Sequence, residues 1–403
     1  MEWKITNIGS LCDRVCSGGT PKSTNNAYYN GNIPWLNTKE VNFNRIYDTE
    51  KNITQLGLEN SSAKWISENS VIVAMYGATA GKVAITKIPI TTNQACCNLS
   101  INSEIADYNF VYYFLCSKFY ELSSLANGGA QQNLNAQIIK DFPIKIPVNL
   151  ADQKKIAGIV SALDSKIENN NKINANLEAQ AEALFKSWFV DFTPFKDQPF
   201  VDSELGSIPQ GWKVGKLGDI GEIVGGSTPS KSKPEYYTTH GIAWLTPKDL
   251  STSKAKFTSR GEIDITDEGY NSTSTKLMPR GSVLFSSRAP IGYLTIAKNE
   301  ICTNQGFKSL VPNGAGTGFI YYTLRHLTPQ IENRATGSTF KEASATLMRS
   351  VETIVPPTSI LNKFEELLRP ILQFQEKKEE ENQRLAALRD TLLPKLMSGE
   401  IKL

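Results

Sequence analysis

Gly18-Gly19-Thr20-Pro21 returns as Gly226-Ser227-Thr228-Pro229, and this pair decides how the whole chain is read. Outward from it, further matches keep the same order. Trp3-Lys-Ile returns as Trp212-Lys-Val, and Tyr28-Tyr29 as Tyr236-Tyr237. Trp35-Leu36-Asn37-Thr38-Lys39 returns as Trp244-Leu245-Thr246-Pro247-Lys248. Thr92-Asn93-Gln94 matches Thr303-Asn304-Gln305, Tyr112-Tyr113 matches Tyr321-Tyr322, and Ile146-Pro147 matches Val355-Pro356. The offset drifts only between 208 and 211 residues. An ordered series with so little drift is a duplication, and it must be found before any element is assigned. The 403-residue chain is one unit of about half its length, written twice.

Each copy has the same plan. Roughly 145 residues of mixed pattern come first. Short β-rich runs such as Val71-Ile-Val-Ala-Met-Tyr and Val283-Leu-Phe-Ser-Ser are punctuated by Gly, Pro, Asn and Ser. Helical stretches sit between them, around Phe110–Leu122 and Gly318–His326. A long helix follows in each copy. The first begins after Pro147, with Asp152 as a cap or first-turn carboxylate. Its apolar residues recur with 4,3 spacing through Ile156, Val160, Leu163, Ile167, Leu177, Ala181, Leu184 and Trp188. Asn170 and Asn174 fall in the same register. That is a coiled-coil seam with a polar middle, where a buried Asn fixes register at a cost in stability. The other reading of these Asn residues is a solvated face. The second helix carries Phe364, Leu368 and Ile371, a polar centre from Gln375 to Asn382, then Leu385, Leu388, Leu392 and Leu396. Each helix spans on the order of 60 Å.

The expected fold is therefore α+β (α/β): two pseudo-symmetric globular heads joined by two long antiparallel coiled-coil helices. The expected segments are a first head over 1–150, a long helix over 151–192, a linker over 193–211, a second head over 212–356 and a second long helix over 357–403. Pro194, Pro199, Pro209 and Gly211 mark the linker.

Composition narrows the function. No apolar run is long enough to span a bilayer. The N-terminus lacks the basic and apolar regions of a signal peptide, so a cytoplasmic chain with no membrane role is expected. Six cysteines and two histidines offer no C-x-x-C pair and no set of four metal ligands. Buried reduced thiols and no metal site are expected. Net charge is +3, but residues 212–356 hold 17 Lys and Arg against 12 Asp and Glu. The basic excess thus lies in the second head, a modest sign of phosphate attraction.

The helices carry a resemblance. Ala151-Asp-Gln-Lys-Lys-Ile-Ala-Gly-Ile-Val-Ser-Ala-Leu-Asp-Ser-Lys-Ile-Glu168, followed by Leu184-Phe-Lys-Ser-Trp-Phe-Val-Asp-Phe192, closely resembles the central conserved region of specificity subunits of type I restriction–modification systems. Leu385-Ala-Ala-Leu-Arg-Asp-Thr-Leu-Leu-Pro-Lys-Leu-Met-Ser-Gly-Glu-Ile401 resembles that family's distal conserved region. The resemblance implies that each head is a target-recognition domain reading one half of a bipartite double-stranded DNA sequence. It implies that the helices set the spacer and dock two methyltransferase (modification) subunits and, through them, the restriction (translocase/nuclease) subunits. It also implies that this chain binds no cofactor, with S-adenosylmethionine, ATP and Mg on the partners. Two tethered readers gain affinity by effective concentration, and diverged heads imply an asymmetric target.

Candidate DNA contacts are repeat-equivalent polar residues in Gly-rich or loop contexts. In the first head they are Thr20, Lys22, Asn37, Lys39, Tyr76, Lys82, Asn93, Gln94, Gln131, Gln132 and Asn133. In the second they are Thr228, Lys231, Lys233, Thr246, Lys248, Ser287, Arg288, Asn304, Gln305, Lys308, Thr339 and Lys341. Arg and Lys can reach guanine O6 and N7, Asn and Gln pair with adenine, and hydroxyls hold phosphates. Arg288 is the sharpest candidate for guanine. Asn93-Gln94 and Asn304-Gln305 match between heads and so also read as structural hydrogen-bonders. Residues that differ between heads, such as Tyr76 against the Arg288 region or Gln131 against Phe340, suit base reading better. For partner docking the candidates are Phe185, Trp188, Phe189, Leu392 and Leu396, the aromatics reading also as caps of the seam.

Catalysis is expected elsewhere. No Asn/Asp-Pro-Pro-aromatic run of a DNA methyltransferase is present. Gly77-Ala-Thr-Ala-Gly81-Lys82 is one residue short of a P-loop, and Val83 stands where a metal-binding hydroxyl is needed. No nuclease-like set of carboxylates and Lys is found, and two histidines leave little general-base chemistry. The rival from another class is a coiled-coil scaffold whose heads bind protein.

Overall fold

The computed structural model describes residues 1–127, 134–253, 255–337, 341–401 and 403. The chain forms two compact units. One is Met1–Glu168 with Gln383–Leu403, and the other is Asn169–Asn382. The long helices run unbroken over Leu150–Phe189 and Thr358–Ser398. Each helix therefore gives part of its length to each unit. Among the described residues no helix is long and apolar enough to cross a membrane.

In the first unit a five-stranded sheet runs in the order Cys12–Ser17, Cys96–Ile101, Val71–Ala74, Val83–Thr86, Asn44–Ile46. All neighbours are antiparallel except the last pair. The central run Val71-Ile-Val-Ala is buried on both faces. Val71 and Val73 point into a core with Phe110, Val111 and Leu115 of the helix Tyr108–Ser117. Ile72 and Ala74 point the other way, to Leu36, Val41, Ile46 and Ile90. This is the period-2 alternation of a strand covered on both sides. A smaller sheet pairs Tyr29–Leu36 with Lys51–Ile53 and, in parallel, with Thr91–Thr92. Trp3–Asn7 pairs with Pro143–Pro147 and closes the head.

The second unit repeats this wiring. Its five-stranded sheet runs Gly221–Gly225, Lys308–Pro312, Val283–Ser287, Ile291–Ala297, Phe257–Thr258, again with a parallel last pair. Trp244–Leu245 lies parallel to Cys302–Thr303, as Trp35-Leu36 lies to Thr91-Thr92. Lys213–Lys216 pairs with Glu352–Val355, as Trp3–Asn7 does with Pro143–Pro147. The duplication read in the sequence is thus a duplication of topology.

The helices run antiparallel within each unit. In the first, Ile156, Ala157 and Val160 share a core with Leu396 and Met397, and the Arg389 guanidinium donates to Asp164 at 2.9 Å. In the second, Ala181, Phe185 and Phe189 meet Leu361, Phe364 and Leu368. Also within the second unit, Asn170 is fully buried and donates to Glu381 at 3.0 Å and to Asn382 at 2.9 Å. The polar middle is a paired seam, not a solvated face. One expectation is corrected. Leu388 does not enter the seam but is 47% exposed, because its neighbour Arg389 turns inward to Asp164. Residues 193–211, expected as a linker, are ordered. They form a 3-10 turn, Thr193–Phe195, and a hairpin of Phe200–Ser203 with Gly206–Pro209. Phe195 and Ile208 are buried beside Trp212, so apolar anchoring overrides the proline-rich composition.

Candidate nucleic-acid interface

Each head ties its Gly turn to its Thr-Asn-Gln loop by the same set of bonds. In the first, the Gly19 amide donates to the Thr92 carbonyl at 2.9 Å, and the Trp35 indole donates to the Gly19 carbonyl at 2.9 Å. The Tyr29 hydroxyl donates to the Pro21 carbonyl at 2.6 Å, and the Thr20 hydroxyl donates to the Gln94 side chain. In the second, the Ser227 amide donates to Thr303 at 2.9 Å and the Trp244 indole to Ser227 at 3.1 Å. The Tyr237 hydroxyl donates to Pro229 at 2.6 Å, and the Thr228 hydroxyl to Gln305. The glycine is required at the crossing. A Cβ on Gly18 or Gly226 would stand 2.1 Å from the carbonyl oxygen of Thr92 or Thr303, where no side chain fits.

Several candidates from the sequence belong to this frame. Asn93 is buried and accepts from the Ala95 amide at 3.1 Å; Asn304 accepts from the Gly306 amide at 2.8 Å. Each asparagine oxygen thus accepts a bond within its own loop. Asn37 caps a short 3-10 turn in a capping box with Glu40, and Thr246 caps its counterpart with Asp249. Ser287 is fully buried and its hydroxyl donates to the Gly306 carbonyl at 3.1 Å.

Other candidates face outward. Thr20, Lys22 and Gln94 are exposed at the first stitched loop pair, as Lys231 and Gln305 are at the second. Lys233 donates to the Tyr236 hydroxyl at 2.9 Å, which raises its ammonium above the ordinary value. Lys39 and Lys248 sit beyond the caps in exposed pairs with Glu50 and Glu262. The Lys82 ammonium donates to the Asn42 side chain at 2.8 Å, and Lys341 to the Glu332 carbonyl at 3.5 Å. Gln131, Gln132, Asn133 and Thr339 lie outside the described residues.

Beside these loops an equivalent position carries unlike residues in the two heads. The Met75 amide donates to the Ala95 carbonyl, and the Ser287 amide to the Gly306 carbonyl, each at 2.8 Å. The next residues, Tyr76 and Arg288, therefore occupy matching positions beside the Thr-Asn-Gln loops. Each is followed by a residue of positive φ, Gly77 at 71° and Ala289 at 48°. Tyr76 is exposed at 39%. Gly77–Gly81 is a hairpin turn, with Gly81 also at positive φ. Arg288 lies 3.6 Å from Glu342, which also accepts from Lys308 at 3.3 Å. Lys308 in turn donates to the Gln305 carbonyl at 3.3 Å. Arg288, Glu342, Lys308, Gln305 and Thr228 thus form one connected polar surface. Glu342 was not evident from the sequence, although its neighbour Lys341 was; the available signal was a carboxylate inside a basic stretch.

Charges missed by the sequence reading also fasten each head to its helices. In the first unit Arg45 donates to Glu168 at 3.2 Å and to the Ser161 hydroxyl at 2.9 Å, beside Tyr113, whose hydroxyl donates to Asp164 at 2.7 Å. The buried Gln153 accepts from the Asp107 amide and donates to the Pro147 carbonyl. In the second unit Lys256 donates to Glu178 at 2.6 Å and to Gln375 at 3.0 Å, with Tyr322 beside it. Burial lowers the Lys256 ammonium from its usual value, with Glu178 opposing. Burial would raise the Glu178 carboxyl, but Lys256, Gln375 and Arg325 outweigh it and hold it below the ordinary range.

Of the expected docking aromatics, Phe185 and Phe189 are buried and Trp188 is partly buried. Phe185 and Phe189 are buried against Phe319 and Phe364, with Trp188 packed against Phe195 and Phe364. Leu396 is buried in the first unit's core, with Leu392 packed on it. The six cysteines are free thiols, and burial pushes those of Cys12, Cys97 and Cys302 up to about 12. Among the described residues no group of three His, Cys, Asp or Glu could hold a metal ion.

The type I restriction modification DNA specificity domain matches the chain twice, over residues 1–179 and 209–385. The MjaIX specificity subunit of a type I restriction enzyme from Methanocaldococcus jannaschii is 29% identical over 420 residues, covering 100% of this chain and 94% of that protein. The HindI specificity subunit from Haemophilus influenzae is 24% identical over 469 residues, covering 99% and 100%. The crystal structure of a type I restriction–modification S subunit from M. genitalium shares the fold, with a TM-score of 0.63 at 18% identity over 98% of this chain and 96% of that one. The chain belongs to the type I restriction–modification DNA specificity family and carries that family's domain twice.

Proposed function

We propose that this chain is the non-catalytic, address-reading subunit of a type I restriction–modification complex. Each head reads one half of a bipartite, asymmetric double-stranded DNA target. The helices set the spacer between the halves and present their outer faces to two methyltransferase subunits, and through them to restriction subunits. S-adenosylmethionine, ATP and Mg belong to those partners. The observation that carries this reading is the contrast within the repeat. The same bonded frame stands in both heads, yet it presents Tyr76 in one and Arg288 in the other. A constant frame with a variable outward residue is what two readers of unlike half-sites require, since frame and phosphate contacts position while base contacts specify.

The test is a methylome of cells expressing the chain with its methyltransferase partner. A split motif with two unlike halves is expected. Duplex binding by the assembled complex should weaken steeply as salt rises. A complex with no sequence preference at any salt would leave the protein-binding scaffold as the correct reading.

A further inference from the structure

The second head puts a carboxylate where a DNA-facing surface would ordinarily carry none. Glu342 stands among Arg288, Lys308 and Lys341, in the stretch with the chain's basic excess. A negative charge there opposes phosphate attraction. Its place is nevertheless set by the fold. Its amide donates to the Thr336 carbonyl at 2.9 Å, and its backbone bridges to both Arg288 and Thr336. Its two oxygens are used differently. Oε1 accepts from Lys308, whose side chain is only 14% exposed. Oε2 lies 3.6 Å from the Arg288 guanidinium, longer than a hydrogen bond, so donor and acceptor both keep capacity. The side chains of Arg288 and Glu342 are 36% and 38% exposed. A partly exposed guanidinium donor therefore stands beside a partly exposed carboxylate acceptor.

We infer that Glu342 is a base-reading residue: it accepts a hydrogen bond from a cytosine amino group in the major groove while Arg288 donates to guanine beside it. Arg matches guanine O6 and N7, and Glu matches the cytosine amino group, which no phosphate contact can mimic. Lys308 positions the carboxylate and offsets its charge. This rests on the DNA-reading function proposed above. The first head has Tyr76 at the matching position, so this selection belongs to one half-site alone.

The experiment compares methylomes of the assembled complex carrying the native chain, Glu342→Gln, Glu342→Asp and Arg288→Ala. The native complex should give a split motif. Glu342→Gln should lower discrimination for cytosine at one position of one half-site by roughly tenfold and admit adenine there, leaving the other half-site unchanged. Glu342→Asp keeps the charge but withdraws the carboxylate, and should relax the same position at an unchanged melting temperature. Arg288→Ala should relax a guanine in the same half-site. A native split motif left unchanged by both Glu342 variants would overturn the inference while sparing the function. So would a uniform rise in affinity for all sequences, which marks Glu342 as a charge brake only. A native complex without a motif would instead overturn the function itself.

Discussion

At the scale of single residues, repetition separates support from readout. Asn93 and Asn304 recur because a backbone amide needs an acceptor in each head, at Ala95 and at Gly306. Asn304→Ala leaves the buried Gly306 amide without that acceptor, which costs about 1–3 kcal/mol. The expected outcome is a lower melting temperature and an equal loss of affinity for target and non-target DNA, measured by thermal denaturation and by binding to both duplexes. A changed motif would instead make Asn304 a reader. From sequence alone the two roles look the same, because Asn serves equally well as a turn acceptor or a partner of adenine. Ser287 shows the same ambiguity. Its hydroxyl reads as a contact until burial and the Gly306 carbonyl account for it.

At the scale of elements, the second head meets the helices through several ion pairs, Lys298 with Glu380, Arg325 with Glu182, and the largely buried Lys256 with Glu178. Such a pair is costly to desolvate, and removing one partner strands the other, at about 3–5 kcal/mol. Glu178→Gln should therefore lower the melting temperature at neutral pH. The Glu178 carboxyl is held below its ordinary value in the folded chain, so its contribution is present above the unfolded value. It is lost as pH falls through the lower, folded one. The gap in melting temperature between native chain and Glu178→Gln should accordingly be full at neutral pH and close on acidification below about pH 4. A gap that persists unchanged in acid would show that packing, not charge, holds the junction. Burial raises Glu379 and Glu365, so these two take up protons earlier in the folded state and do not share this loss. The sequence showed the helices through their apolar spacing. It did not show that Arg45 and Lys256 enter the junctions, because a lone charge on a short strand, or just before one, reads as a solvated edge.

At the scale of the whole molecule, the proposal makes helix length a determinant of specificity. A matched insertion of about one turn in both polar middles, within residues 169–180 and 375–382, keeps Asn170 facing Glu381 and Asn382 in kind. The preferred spacer of the methylated motif should lengthen while both half-sites stay the same. An unchanged spacer would remove the helices from spacer control.

What the sequence by itself determined is the duplication, the order of heads and helices, and the antiparallel seam. Those are periodic or repeated signals, and periodicity survives without coordinates. What only the tertiary structure decided is which polar residues are spent inside. Asn93 and Ser287 lie inward, Arg288 and Glu342 outward, and residues 193–211, read as a linker, are packed by Phe195 and Ile208. The reason is physical: a polar side chain bonds to whatever donor or acceptor folding brings within about 3 Å, and only the fold sets whether that is a neighbour two residues on, as Ala95 is for Asn93, or 19 residues on, as Gly306 is for Ser287.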